Sequence, residues 1–437
     1  MSKISPNTVC KVIESYAIAY PNPIKLKAGD SVSIEKWEPK DSEWAGWAFC
    51  VDRRGIKGWV SEKYLQVEEN SAVAVKDYDA TEISAQSDEQ VKVHFEEFGW
   101  AWVENSHGQQ GWIPVKNLSE LPNGSDLNKK IVSSSLALIG NTPLIELSRI
   151  YQGPGRLLAK VEFVQPGGSI KDRAALQIIQ DAYQSGSLKH GQPVVEMTSG
   201  NMGAGLAVVC AVFGNPFVAV MSEGNSPERA KMLRGLGAEV VLTEQVDGKP
   251  GQVTGKDIAA ATELAKKIAK DRGAFYVDQF NNPSSISAHE KNTGPEIWHQ
   301  TDYKLNAFVA SVGSGGTFVG TSQFLKSKNP QIKCFAVEPY GAEVIAGKAL
   351  TKPRHLIQGT GYGSIPPHWR PDLADGFLSV TDEEVMSLRD ELAKKEGLFV
   401  GFSAAANVAA ALKVLSSGLV ANSSTVVTVL CDTGLKY

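Results

Sequence analysis

After residue 131 the chain passes repeatedly from a short apolar run, through glycine and small polar residues, into a run with helical spacing. Leu157 to Val164 precedes Ala174 to Tyr183, and Pro193 to Glu196 precedes Gly203 to Phe213. Phe217 to Met221 leads to Pro227 to Leu236, and Phe308 to Val312 leads to Phe318 to Lys328. Apolar runs of strand length alternating with helix-period runs predict an α/β unit, an open twisted sheet covered by helices. Ligands of such sheets bind beyond the strand ends, where strand gives way to helix.

Four of these junctions carry chemistry. In Pro166-Gly167-Gly168-Ser169-Ile170-Lys171-Asp172-Arg173, a lysine stands where a loop becomes a helix. Burial and the positive end of a helix dipole both lower an amine's pKa, which suits Lys171 to Schiff-base chemistry. A lysine that merely closes a turn would look the same in this octapeptide alone. Thr198-Ser199-Gly200-Asn201-Met202-Gly203 offers hydroxyls, an amide and N–H groups at a helix start, a setting for a carboxylate; an ordinary N-cap is the plain alternative. Gly313-Ser314-Gly315-Gly316-Thr317 exposes N–H groups that suit a phosphate, although glycine loops also serve tight packing. Cys431-Asp432-Thr433-Gly434 follows the strand-like run Thr425 to Leu430.

The first 120 residues read differently. Short alternating runs such as Ser31 to Glu35 and Gln90 to Phe95 lie between turn residues, and Gly58-Trp59 recurs as Gly111-Trp112, 53 residues on. Two small all-β barrels are expected, at 1–68 and 71–120, with a turn-rich linker at 121–130. Both segments resemble SH3-like domains. The second carries Val75-Lys76-Asp77-Tyr78-Asp79-Ala80, Trp100 and Gly111-Trp112-Ile113-Pro114; the first carries Lys27-Ala28-Gly29-Asp30-Ser31-Val32 and Gly46-Trp47. Ser61 stands for the usual groove proline in the first and Leu118 for the usual tyrosine in the second. A structural or oligomer-forming appendage is therefore the preferred reading, and docking of a peptide or protein partner is the other.

Composition excludes several classes. With 42% hydrophobic and 21% charged residues the chain is globular, and a net charge of -4 without a basic run argues against nucleic acid as a partner. No apolar run reaches membrane-spanning length, and Met1 to Cys10 lacks a signal-peptide core. Cys10, Cys50, Cys210, Cys334 and Cys431 are scattered, with no Cys-x-x-Cys pair, which favours reduced thiols, a cytoplasmic protein and no metal site.

Residues 131–437 resemble the cysteine synthase family, pyridoxal-phosphate enzymes of fold type II that include cystathionine β-synthase. The resemblance is an ordered series. It joins the four junctions to Asn141-Thr142-Pro143-Leu144, Glu228-Arg229, Gln279-Phe280-Asn281-Asn282-Pro283 and Thr293-Gly294-Pro295-Glu296. It continues through Ala336-Val337-Glu338-Pro339 and Gln358-Gly359-Thr360-Gly361. It implies pyridoxal 5'-phosphate anchored by Lys171, with Asn201 on the ring oxygen, Gly313, Ser314, Gly315, Gly316 and Thr317 on the phosphate, and Thr433 at the pyridine nitrogen. Thr198, Ser199, Asn201, Met202, Gln279 and Tyr362 are the implied substrate contacts. Lys171 would also be the catalytic base in β-replacement on an O-activated serine, O-acetylserine first, through an aminoacrylate, with sulfide as the default nucleophile. A homodimer is implied as well. Met202 and Ser314 depart from the commoner threonines and resemble the β-cyanoalanine synthase branch. Another β-substituted alanine, serine/threonine deamination and a non-catalytic adaptor stay open.

Overall fold

A computed structural model describes residues 9–39, 45–87, 89–120, 131–247 and 253–437. The expected linker, 121–130, lies outside them. The chain divides into two compact units, Met1–Lys130 and Ile131–Tyr437.

The first unit is all-β. In chain order it contains β1 (Val9–Val12), β2 (Lys25–Leu26), β3 (Ser31–Trp37), β4 (Trp47–Asp52), β5 (Lys57–Ser61) and β6 (Leu65–Glu68). There follow β7 (Ser71–Ala74), β8 (Tyr78–Asp79), β9 (Gln90–Glu97), β10 (Trp100–Asn105), β11 (Gln110–Pro114) and β12 (Leu118–Glu120). Two antiparallel sheets result, ordered β5-β4-β3-β7-β6 and β11-β10-β9-β1-β12, with β2 paired to β8. Alternation buries one face of each strand, so Val91 and Val93 enter one core while Ala72 and Ala74 enter the other.

Strand pairing does not follow a division at 68/71. β1 precedes the whole first sheet, yet it pairs with β9 and β12; β7 lies beyond residue 68, yet it pairs with β3 and β6. Cys10 and Val12 are buried with Val91, Val103 and Leu118, which is why β1 belongs there. The repeated Gly-Trp has a common cause. A Cβ on Gly58 would sit 2.7 Å from Ile24 Cγ2, and one on Gly111 would sit 2.7 Å from Ile83 Cγ2. Each glycine lets an isoleucine pack onto the strand. Trp47 and Trp112 meet edge to face at 5.6 Å, and both indoles are buried with their N–H groups donated to the carbonyls of Phe98 and Asp79. Beside them is a cleft of about 560 Å³ whose lining includes Tyr16, Trp47, Trp59, Trp100 and Trp112.

The second unit is α/β. It runs β13 (Leu144–Glu146), β14 (Arg156–Val161), α1 (Lys171–Gln184), β15 (Val194–Met197), α2 (Asn201–Phe213), β16 (Phe217–Ser222), α3 (Pro227–Gly235) and β17 (Glu239–Thr243). Next come α4 (Gly255–Asp271), β18 (Phe275–Tyr276), α5 (Ser284–Ala288), α6 (Gly294–Gln300), β19 (Ala307–Ser311) and α7 (Gly316–Lys328). It closes with β20 (Lys333–Pro339), β21 (Gly376–Val380), α8 (Asp382–Glu391), α9 (Phe402–Ser416) and β22 (Thr425–Leu430).

The larger sheet has the order β13-β14-β22-β19-β20-β21 and is parallel except for β13; the smaller, β17-β16-β15-β18, is wholly parallel. Alternate residues of β14 point to opposite faces: Leu157, Ala159 and Val161 pack with α9, whereas Leu158 packs with Phe318 and Leu325 of α7. The smaller sheet is sandwiched the same way. Val194 and Ala219 lie with α1 and α2, while Val195 and Val218 lie with Ala261 and Ala265 of α4. Both sheets are thus buried on two faces, which is why their strands are almost wholly apolar.

Candidate active site

The predicted junctions all follow the carboxyl ends of parallel strands. Lys171 is the first residue of α1, and the loop before it is tied to β22: Ile170 N–H donates to the Cys431 carbonyl at 2.9 Å, and Ser169 bridges Asp432. The Lys171 ammonium reaches across to Ser314 and donates to its Oγ at 3.3 Å. Burial pulls the Lys171 pKa below the ordinary lysine value, against the opposing pull of Cys431 and Glu196.

Ser314 belongs to the glycine loop, whose shape depends on missing side chains. Gly315 has φ +97°, and a Cβ on Gly313 would fall 2.3 Å from the Gly359 carbonyl. The loop therefore lies directly against the Gln358-Gly359-Thr360-Gly361 turn. α7 begins at Gly316, so its free N–H groups and dipole favour an anion there. Thr317 is held from behind. His289 Nε2 is 3.3 Å from Thr317 Oγ1, and His289 Nδ1 is 2.9 Å from Thr293 Oγ1.

Asn201 opens α2, where its Nδ2 donates to Asp432 Oδ2 at 2.7 Å. Thr433 caps the short turn after it, accepting from Leu435 N–H at 3.2 Å, which leaves its own O–H to donate. Thr433 Cγ2 approaches Gly168 in the lysine loop, 3.7 Å from the Cβ a side chain there would carry.

The substrate candidates divide. Ser199 Oγ accepts from Arg229 at 3.4 Å, and Arg229 also donates to Gln358, so this arginine spans two loops of the site. Gln279 donates from Nε2 to Glu196 Oε1 at 3.1 Å. Tyr362 is 47% exposed and meets Phe280 edge to face at 5.6 Å. Thr198 is engaged structurally: its Oγ1 accepts from Gly203 N–H at 3.0 Å and its side chain is buried. Met202 departs from the expectation of a substrate contact. It is 3% exposed and packs in the core with Leu206 and Leu233. One residue advances a helix by about 100°, so Asn201 at the start of α2 is turned toward Asp432 and Met202 toward the core.

Several residues were not singled out in the sequence. Glu196, at the end of β15, is fully buried and its carboxyl is pushed up to about 8 by burial, although Gln279 and the Asp278 N–H donate to it. An acid inside an apolar strand was the available signal. Behind Lys171, Arg173 is buried between Glu162 and Glu296, with bonds of 2.6–2.9 Å, and the buried Lys160 lies 2.7 Å from Glu296. This cluster anchors the first turn of α1 to the Asn141-Thr142 loop, since Thr142 Oγ1 donates to Glu162 at 2.6 Å.

An amine in a desolvated setting, a glycine cradle at a helix start, an amide and a free hydroxyl converge here, the donor set that an aldehyde-bearing aromatic phosphate needs. The family profile described as pyridoxal-phosphate dependent enzyme matches residues 136–432. The chain is 38% identical to cysteine synthase A of Escherichia coli (strain K12) over 314 residues, covering 70% of this chain and 94% of that one. The chain belongs to the cysteine synthase family of pyridoxal-phosphate-dependent enzymes.

Solved structures of cysteine synthase family members agree in architecture. An O-acetyl serine sulfhydrylase isoform 3 from Entamoeba histolytica superposes with TM-score 0.65 at 32% identity, covering 73% of this chain and 92% of that one. An O-ureido-L-serine synthase superposes with TM-score 0.64 at 34% identity, covering 70% and 94%. A variant SH3 domain profile matches residues 9–68, so this family member carries an SH3-like domain before its catalytic unit. No helix among the described residues is long and apolar enough to cross a membrane.

Proposed function

We propose that this enzyme makes a β-substituted alanine from O-acetylserine, with sulfide as the nucleophile. The reading rests on one observation above all: the Lys171 amine lies 3.3 Å from a hydroxyl of the glycine loop at the strand ends. When bound, the cofactor withdraws electrons from the α-carbon of the amino acid, which opens loss of the α-proton and of a β-substituent. The chain's own residues do the rest. Gly313 to Thr317 would hold the phosphate, Asn201 the ring oxygen and Thr433 the pyridine nitrogen. A hydroxyl at that nitrogen leaves it uncharged, which suits elimination and replacement.

Lys171 anchors the cofactor and moves the α-proton, and burial, which lowers its pKa, favours the neutral amine that a base needs. Ser199 and Gln279 are the side chains for the substrate carboxylate, with the backbone N–H of Asn201 at the start of α2 beside them. Gln279 is steadied by Glu196. Closure of the Thr198 to Gly203 loop would complete the site and keep the reactive product of elimination from hydrolysis. The family resemblance supports a homodimer.

A second reading changes only the nucleophile. Likeness to an O-ureido-L-serine synthase, together with the exposed Tyr362 at the mouth, supports an acceptor other than sulfide. The aromatic cleft of the first unit supports peptide docking as a separate, non-catalytic role of the barrels. The test is a spectral titration of the holoprotein with O-acetylserine, O-phosphoserine, serine and cysteine, followed by a screen of sulfide, cyanide and larger nucleophiles. A spectral change with O-acetylserine that sulfide reverses, with release of cysteine, is expected. No spectral response to any β-substituted amino acid would overturn the reading.

A further inference from the structure

Lys436 reaches the rear of the site. Its Nζ donates to Asn201 Oδ1 at 2.8 Å and to the Gly167 carbonyl at 2.7 Å. The opposite end of the same amide, Asn201 Nδ2, donates to Asp432 Oδ2, which also accepts from the Tyr437 hydroxyl at 2.7 Å. The two ends of an asparagine amide are nearly equal in shape, so only its neighbours decide which way it points. Here an ammonium, which can only donate, holds the oxygen, and a carboxylate, which can only accept, holds the nitrogen. The group left for a ligand is the second N–H.

We propose that Lys436 is a positioning residue, which fixes the Asn201 amide so that it donates an N–H to the ring oxygen of the cofactor. The inference rests on the assignment of Asn201 to that oxygen. It adds that the assignment depends on a cation 235 residues away in sequence. Asp432 and Asp172 both lie near the ammonium and oppose the loss of its charge on burial. Without Lys436 the amide could turn its oxygen to the ring oxygen, a repulsive contact, and the Gly167 turn before Lys171 would lose a tie.

The experiment compares full-length holoprotein of the wild type, Lys436→Met, Lys436→Arg and Asn201→Ala. Absorption spectra and the cofactor dissociation constant by equilibrium dialysis are read together. An N–H donated to the ring oxygen favours its ionised, visible-absorbing form. Asn201→Ala and Lys436→Met are both expected to move intensity from the visible to the near-ultraviolet band and to weaken cofactor binding about tenfold. Lys436→Arg is expected to restore both. A shifted Asn201→Ala spectrum beside an unchanged Lys436→Met spectrum overturns the positioning role and leaves the Asn201 assignment standing. An unchanged Asn201→Ala spectrum removes that assignment, and the inference with it. Should Lys436→Met fail to fold by its melting curve, Lys436→Gln, which keeps a donor without the charge, is expected to shift the same way by less; a wild-type spectrum there also overturns the role.

Discussion

The Glu196 carboxylate accepts from both the side-chain amide of Gln279 and the backbone N–H of Asp278, at 3.1 and 2.9 Å, although these partners come from a segment more than 80 residues later. One buried acid thus fixes a loop that the substrate carboxylate is proposed to meet. Its raised pKa has a sign that can be measured. Burial favours the protonated acid in the folded state, so the folded protein holds more protons than the unfolded chain between the unfolded value and about 8. Stability contributed by this group therefore falls as pH rises through that window. Glu196→Gln removes the titration, and its melting temperature relative to wild type is expected to climb from about pH 5 to about pH 8.5. A constant difference across that range would show that Glu196 does not titrate there.

Lys171→Ala is expected to abolish replacement activity, by at least the roughly 10²–10⁴-fold that a positioned base supplies. Circular dichroism and the melting curve should stay near wild type, because the hydrogen bond the lysine gives up, 3.3 Å to Ser314, is a long one. Steady-state turnover within a few-fold of wild type would sink the assignment.

Arg173→Met leaves Glu162 and Glu296 buried with one cation, Lys160, between two acids. Removing one partner of a buried ion pair typically costs about 3–5 kcal/mol. Urea denaturation is the check, and Arg173→Lys is expected to recover only part of the loss because it cannot bridge both carboxylates in pairs.

Met202→Thr is expected to act on packing. The thioether is buried with Leu206 and Leu233, so a smaller hydroxylated side chain should cost about 2 kcal/mol. Rates with sulfide, cyanide and a larger thiol should move in parallel. A selective gain with sulfide would return Met202 to the list of substrate contacts.

Removal of residues 1–130 is expected to leave a folded catalytic unit, since Ile131–Tyr437 forms a compact unit with its own cores and contains every cofactor residue proposed. Cofactor absorbance in the truncated protein is the measurement, and its loss would show that the barrels help to build the site.

The junction chemistry was legible because each loop carries its own residues in sequence: Lys171 stands beside its glycines, and Ser314 within its cradle. Alternating apolar runs also announced the two-faced sheets, since the central strands β14, β15, β16, β19 and β22 are buried on both sides. Positions fixed by distant partners were not legible. Lys436 meets Asn201, and Glu196 meets Gln279, through folding that no local pattern records. The loop motif does not record which way Met202 faces, because the helix beginning at Asn201 rotates successive side chains apart. Four residues of β1 announce a strand but not its neighbour.

That neighbour has a consequence for synthesis. β2 to β8 are nested inside a barrel whose first strand is β1 and whose last is β12. As the chain emerges, the inner barrel can finish while β1 waits, unpaired, for β9 and β12. Closure of the outer barrel then clamps the inner one at both of its chain ends. An insertion between residues 68 and 71 would lengthen the exposed β6–β7 hairpin turn and would not part the two barrels, since β6 and β7 belong to the same sheet. The pairing of β1 with β9 and β12 spans the whole inner barrel in sequence, so it is the least local contact of the tandem, and the emerging β1 edge has no strand partner until those segments are made.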